Sequence, residues 1–312
     1  MQRRDFLKTA AATSATIASP LFADEDEGSV VYFTKTITPE KALELYRALG
    51  RKLKGKVGVK THSGEPTGNH YLKPDFLKPL VDEVDGTFVE CNTAYPGRRM
   101  KTEDHWKVVE EHGFKKVAPF DIMDAEKEIE LPIPNGKQIK VNYVGANLAN
   151  YDSLLVTSHF KGHQMGGFGG ALKNISIGIA SSRGKAHIHG AGDPERMWDC
   201  EQNKFLEAMA DACRSILDKF GENIAFVNVM KDLSIDCDCN GAPHKPEMAD
   251  IGILASIDPV AIDQACYDLV VNSEDKGKES LIERMDSRNA THILEAAEAL
   301  GVGSRKYKLI EL

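Results

Sequence analysis

The residues Leu154-Leu155-Val156-Thr157-Ser158 run directly into His159-Phe160-Lys161-Gly162-His163-Gln164-Met165-Gly166-Gly167-Phe168-Gly169-Gly170-Ala171-Leu172-Lys173-Asn174. The first five open with a continuous apolar run, without the alternation of a half-exposed strand. That pattern reads as a strand covered on both faces. In α/β sheets, ligands gather at the loops beyond the carboxyl ends of such strands. The glycine-rich stretch occupies that position, and the segment from Ala171 onward is placed to start a helix.

Strand-like and helix-like patterns alternate on either side. Strands are expected at 30–34, 56–61, 87–92, 224–230, 250–255 and 307–310. Helices are expected at 40–54 behind Thr38-Pro39, at 76–84, at 102–111 with Thr102 as cap and Gly113 as stop, at 203–220, and through Val271 behind an Asp258-Pro259 cap. Two more helices precede the last strand. Pro134-Asn135-Gly136 between apolar runs at 129–133 and 138–144 marks a hairpin. The alternation predicts an α/β fold, a mostly parallel sheet with flanking helices. It is divided into lobes at 24–150 and 151–312 with a cleft between them.

Arg3-Arg4-Asp5-Phe6-Leu7-Lys8, the mild apolar run to Phe22 and a small residue at Ala23 resemble a twin-arginine export signal covering residues 1–23. Such signals are typical of proteins exported folded, often with a cofactor in place. The expected location is periplasmic or otherwise extracytoplasmic, and the export machinery is the first expected partner. The chain carries 39 Lys and Arg against 47 Asp and Glu. This acidic balance disfavours nucleic acid and anionic membranes. With 42% hydrophobic residues the chain is rich enough in apolar groups to fold, and no run is long and apolar enough to span a bilayer.

The densest chemistry lies in the stretch quoted first. Gly166, Gly167, Gly169 and Gly170 let backbone approach a ligand and expose amide donors. No G-x-G-x-x-G fits, because Leu172 holds the third glycine position. No Walker A fits either, so no nucleotide is expected. His159 and His163 stand four apart. His187 and His189 stand two apart, a spacing that faces both to one side of an extended segment. With His62 they form a candidate metal and acid–base set, in which His163 would move protons and Lys173 would clamp a substrate or act as nucleophile. Gly167, Gly169, Gly170, Asn174 and the pair Arg98-Arg99 are the expected substrate or anion contacts. No Ser-His-Asp or G-x-S-x-G arrangement is present.

Cys237-Asp238-Cys239 follows a strand. Two thiolates so spaced can share one soft metal, and Cys200 or His244 could complete the set. The acidic neighbours work against thiolates unless a cation is present, so metal ligation, a disulfide or redox pair, and a structural role all stand. Cys213 and Cys266 sit in helix-like apolar patterns and read as core.

Ser158 to His163, Gly167 to Asn174, Gly184-Lys185, Cys-Asp-Cys, and Asp250-Ile251-Gly252-Ile253-Leu254-Ala255-Ser256-Ile257-Asp258-Pro259-Val260-Ala261-Ile262-Asp263 together resemble the DUF362 family. Its members are often described as iron–sulfur centre proteins, many with a ferredoxin-like C-x-x-C-x-x-C insertion. This chain departs from that pattern: after His189 it has only the single Cys200 before the next helix, so a cluster would need other ligands. More remotely, His163, Lys173 and His189 fall ten and sixteen residues apart beside Gly-Phe-Gly-Gly, a spacing similar to the nickel-pincer lactate racemases. That likeness implies a two-lobed α/β fold with the site between lobes.

The resulting expectation is a metal-dependent oxidoreductase or isomerase for a small oxygenated substrate, with iron, nickel or zinc as the metal. The alternative is a non-catalytic metal or iron–sulfur electron-transfer protein built on Cys237 and Cys239, working with a redox partner.

Overall fold

The computed structural model describes residues 28–68, 70–239 and 245–312. The export signal at 1–23 and His244 lie outside them. The strands are β1 (Ser29–Thr34), β2 (Val57–Lys60), β3 (Thr87–Glu90), β4 (Phe120–Ile122), β5 (Glu128–Pro132), β6 (Val141–Gly145), β7 (Ser153–His159), β8 (Lys161–His163), β9 (Gly167–Gly169), β10 (Ile224–Met230), β11 (Gly252–Ser256) and β12 (Tyr307–Glu311). The α-helices are α1 (Pro39–Ala48), α2 (Pro74–Glu83), α3 (Thr102–Glu111), α4 (Phe114–Val117), α5 (Ala171–Ser176), α6 (Ser182–His189), α7 (Gln202–Phe220), α8 (Pro259–Val271), α9 (Lys278–Ser287) and α10 (His292–Ala299).

Eight strands form one sheet in the order β12-β1-β11-β10-β7-β2-β3-β4. All pairings are parallel except those of β11, which runs against both β1 and β10. The fold is therefore the expected α/β class with a mostly parallel sheet. The sheet continues across residue 150, because Val57 of β2 pairs with Ser153 of β7.

The apolar run that opened the sequence analysis is the middle of this sheet. Leu154 and Val156 pack into one core cluster with residues of α5, α7, α8 and α10, while Leu155 packs into the other with α1, α2 and Phe114. Period-two alternation puts neighbours on opposite faces, and helices cover both faces, so every residue from Ser153 to Ser158 is buried.

The expected hairpin, β5–β6, makes its own two-stranded sheet beside the main one. Its turn is fixed by buried Asp211 of α7, which accepts the amides of Lys137 (2.7 Å), Gln138 (2.6 Å) and Ile139 (2.9 Å). Helix α1 stops at Ala48, short of the expected 54, where Gly50 turns the chain with φ of 62°. Thr102 is the first residue of α3 rather than its cap; its hydroxyl instead accepts from Asn92 Nδ2 at 3.0 Å. The glycine-rich stretch folds back as the antiparallel ribbon β8–β9.

Helix α5 begins where expected, but its first amides are already taken. Asp263 of α8 accepts from Ala171 N at 2.8 Å, Leu172 N at 2.9 Å and Asn228 Nδ2 at 2.7 Å. The carboxylate comes this close because residue 170 is glycine, where a Cβ would overlap it. Gly170 thus serves an internal carboxylate rather than an external anion. Asp263→Ala would leave three buried donors unsatisfied and is expected to lower stability by about 3 kcal/mol. Chemical denaturation checks this as a fall in urea midpoint at unchanged slope.

Candidate functional site

The parallel strands β2, β3, β7 and β10 end on one edge of the sheet, and the chain after each helps to wall a cavity of about 570 Å³ there. Its walls include His62 and Glu65 after β2, Tyr95 and Arg99 after β3, His163 and Lys173 after β7, and Cys239 after β10. Lys185 and His189 of α6 close another side, and Trp198, 66% exposed, stands at the mouth. A smaller adjoining pocket is lined by Ser158, His159, Gly169, Gly170, Asn174 and Cys237, and shares His62 and Lys173 with the cavity.

His163, Lys173 and His189 converge on the cavity, and their hydrogen bonds give them different chemistry. His163 Nδ1 accepts from the amides of Gly166 (2.8 Å) and Met165 (3.2 Å), so the ring proton of the neutral imidazole sits on Nε2. His189 is opposite: its Nδ1 faces the Lys185 carbonyl at 2.7 Å and donates to it, which leaves Nε2 with a free lone pair. The His189 ring also stacks on Phe205 at 4.9 Å. Burial holds both neutral, His163 well below the usual imidazole value with Lys173 and His189 adding to the effect, and His189 down to about 4. His62 is likewise held neutral by burial and by Arg99.

Lys173 has no hydrogen-bond or ion-pair partner among the described residues and lines both cavities. Burial, reinforced by Lys60 and Arg99, pulls its ammonium down to about 8. Lys60, at the end of β2, is brought down to about 8 by burial against the pull of Glu90. Lys60 and Lys185 donate only to the backbone carbonyls of Thr61 and Ala180. Lys60 is buried without lining either pocket.

The expected anion clamp does not form as drawn. Arg99 is 2% exposed and already engaged: Nη2 meets Glu65 at 2.6 Å and Tyr95 Oη at 2.9 Å, and Nη1 meets Glu90 at 2.8 Å. Burial favours the neutral guanidinium, but Tyr95, Glu90 and Glu65 overrule it and keep the charge. Glu90, which burial alone would raise, is held well below the carboxylate range by Arg99 and His105. Arg98 lies on the rim in a bidentate pair with Glu111, both bonds 2.7 Å.

Two expected metal histidines are used elsewhere. His159 Nδ1 bonds Asp238 at 2.9 Å and its Nε2 bonds the Lys231 carbonyl at 2.5 Å, so neither nitrogen is left for a metal. His187 and His189 lie on helix α6, not on an extended segment, and a two-residue step rotates them to different faces. His187 packs edge-on against Tyr143 at 5.1 Å, away from the cavity. Asn174 braces α5 to β7 through Thr157 O at 3.0 Å and Ser158 Oγ at 3.1 Å. Gly167 abuts Ala290, and Gly169 borders the smaller pocket.

Cys237 and Cys239 form a disulfide. The carboxylate between them locks the segment in place: Asp238 Oδ2 takes His159, and Oδ1 lies 2.6 Å from Lys161 Nζ in an ion contact off the hydrogen-bonding direction. Burial would raise Asp238, but His159 and Lys161 hold it far below the carboxylate range. Gly162 N donates to Ser234 O at 2.9 Å, and the missing Cβ at 162 lets Ile235 pass against it. The result brings a ring nitrogen of His163 and both sulfurs within 4.8 Å of one another, a group that could bind a metal ion. Cys91 is buried in the lining of the large cavity, Cys213 and Cys266 are in the core as expected, and Cys200 is half-buried.

Among the described residues no helix is long and apolar enough to cross a membrane. A solved structure of a Thermotoga maritima protein is similar at 14% identity and a TM-score of 0.42, covering 84% of this chain. The present chain spans only 58% of that protein. The lactate racemase apoprotein from Thermoanaerobacterium thermosaccharolyticum is similar at 13% identity and a TM-score of 0.43, over 93% of this chain and 85% of that one. No curated protein matches. The model of a domain of unknown function, DUF362, matches residues 57–268. The chain belongs to the DUF362 family.

Proposed function

We propose that this protein is an exported oxidoreductase or isomerase that acts, with a metal, on a small oxygenated anion in the cavity at the carboxyl edge of the sheet. One observation carries the reading: a hydrogen-bond-donating imidazole, an imidazole with an open lone pair and an ammonium without a partner line one cavity. These are the complements of a carbonyl or hydroxyl oxygen, a Lewis acid and a carboxylate. The exported location rests on the twin-arginine stretch.

In this reading Lys173 holds the substrate's anionic group, and burial strengthens that pairing. His163 Nε2–H donates to the substrate oxygen on which negative charge grows. His189 fits a metal: its Nδ1–H is fixed by a backbone carbonyl, the arrangement that orients a ligating imidazole and frees Nε2. A metal held there supplies Lewis-acid polarisation. A metal or iron–sulfur carrier using Cys237 and Cys239 is the second reading, favoured by the nearness of both sulfurs to His163.

A panel of 2-hydroxy acids, 2-oxo acids and dicarboxylates, screened by thermal shift and by solvent-deuterium incorporation, tests the first reading. At least one anion is expected to raise Tm and exchange a carbon-bound proton. Lys173→Gln is expected to weaken its binding about tenfold or more, and His189→Gln to slow exchange about a hundredfold at retained fold. A panel without any shift or exchange sinks the proposal. Binding is expected to hold below pH 8 and to decline above it, as Lys173 loses its proton near its value of about 8.

The same lysine carries a stability signature. Its folded value of about 8 lies below its ordinary 10.5, so folding bears the full cost of burying the charge below pH 8. Between about 8 and 10.5 the folded state sheds its proton first, and stability rises with pH. Lys173→Met is therefore expected to stabilise the ligand-free protein by about 1–2 kcal/mol at pH 7, a gain that shrinks toward pH 10.5. Urea denaturation at the two pH values reads both the sign and its decay.

A further inference from the structure

We infer that reducing the Cys237–Cys239 disulfide creates a soft-metal site from two thiolates and the His163 imidazole in the cavity wall, and that the oxidised bond closes it. The inference rests on the second reading, a metal site on Cys237 and Cys239, and deepens it by making that site depend on the redox state of the two sulfurs.

Three observations carry it. The first is proximity: the two sulfurs and a ring nitrogen of His163 lie within 4.8 Å of one another, with Cys239 on the large cavity and Cys237 on the small one. Thiolates and imidazole are the donor set of zinc and related soft cations.

The second is that the segment is held by contacts other than the disulfide. Gly162 N bonds Ser234 O at 2.9 Å, and Glu65 N bonds Asp238 O at 3.2 Å. Asp238 is gripped by His159 and Lys161. Arg284 Nη1 meets Asp236 at 2.8 Å, and Ser234 Oγ donates to Asp236 O at 2.7 Å. Cutting the bond between the sulfurs leaves both cysteines in place, so the donors are preorganised.

The third is electrostatic. The acids flanking the cysteines would oppose thiolates, but each is bound by a cation: Lys161 on Asp238 and Arg284 on Asp236. The Cys239 amide also donates to Cys237 Sγ at 3.2 Å, a contact that favours negative charge on that sulfur.

A dithiol reductant delivers two electrons and two protons, breaks the S–S bond and is itself oxidised to a disulfide. A divalent cation then displaces both thiol protons, and the two thiolates neutralise its charge. His163 must surrender an existing arrangement to join. Its Nδ1 lone pair is committed to the Met165 and Gly166 amides, and Nε2 becomes a donor to metal only if its proton moves to Nδ1. Either route takes the acceptor away from those two amides, so metal capture and release of the 164–166 turn are coupled.

Cobalt(II) titration of the full protein, before and after treatment with a phosphine reductant and anaerobic desalting, tests the inference, with zinc as competitor. The oxidised protein is expected to bind no cobalt in this site. The reduced protein is expected to bind one equivalent with thiolate-to-metal charge-transfer absorption, bleached by zinc. Cys237→Ser and Cys239→Ser are each expected to weaken binding at least about a hundredfold and to lose part of that absorption, with circular dichroism reporting an intact fold. His163→Gln is expected to keep the absorption and weaken binding about tenfold or more. Hydrogen exchange at Met165 and Gly166 is expected to speed up when metal binds. Equal binding by oxidised and reduced protein, absence of the charge-transfer band after reduction, or a His163→Gln variant that binds cobalt as the parent does would each overturn it. Loss of the anion shifts predicted above with this titration intact would sink the catalytic reading alone.

Discussion

The site depends on one buried ion contact, that of Asp238 with Lys161 and His159. The partners come from distant parts of the chain, the carboxylate from the segment after β10, the imidazole from the end of β7 and the ammonium from the start of β8. A charge this deep is tolerated only when paired, and removing one partner of such a pair costs several kcal/mol. The contact therefore forces the segment 237–239 against the ribbon, and the ribbon carries His163. Everything that follows, including the nearness of the sulfurs to an imidazole and the shared wall of the two pockets, is geometry imposed by that pairing. It also explains a feature that looked adverse in the sequence, an acid between two cysteines: the carboxylate is an anchor whose charge is already consumed.

Much of the fold was legible because its signals are local. Continuous apolar runs gave β7 and β10, Thr38-Pro39 and Asp258-Pro259 gave two helix starts, and Pro-Asn-Gly gave the hairpin. The direction of β11 was not legible, since a strand's sequence does not say which way its neighbour runs. Helix α6 was missed because its Gly184 and paired histidines resemble an extended loop, while its start depends on Ser181 Oγ capping Gly184 N at 3.0 Å. That single misreading assigned His187 to a site it does not face.

The candidate site was legible as a region and illegible in its partners. The rule that loops after parallel strands share an edge placed the segment with His163 beside those with His62 and Arg99, while Lys173 and His189 were grouped with it by their spacing. Which charges remain available did not follow. Arg99 reads as a clamp until Glu65, Glu90 and Tyr95 are seen around it. Pairing between residues distant in sequence decides such questions, and nothing in a local pattern encodes it.

The distribution of these charges bears on why the cavity exists. The guanidinium of Arg99 is matched by two carboxylates, whereas Lys173 and Lys185 of the cavity wall and the nearby buried Lys60 have no carboxylate at contact distance among the described residues. A fold selected for stability alone would replace such lysines with apolar side chains of similar length, because an unpaired buried ammonium costs more than it returns. Lys173 and Lys185 line the cavity and Lys60 is buried outside its lining, while the cavity's own acids Glu65 and Glu90 are engaged by Arg99. Beside the lysines of that cavity stand two imidazoles of opposite character, His163 presenting a proton and His189 a lone pair.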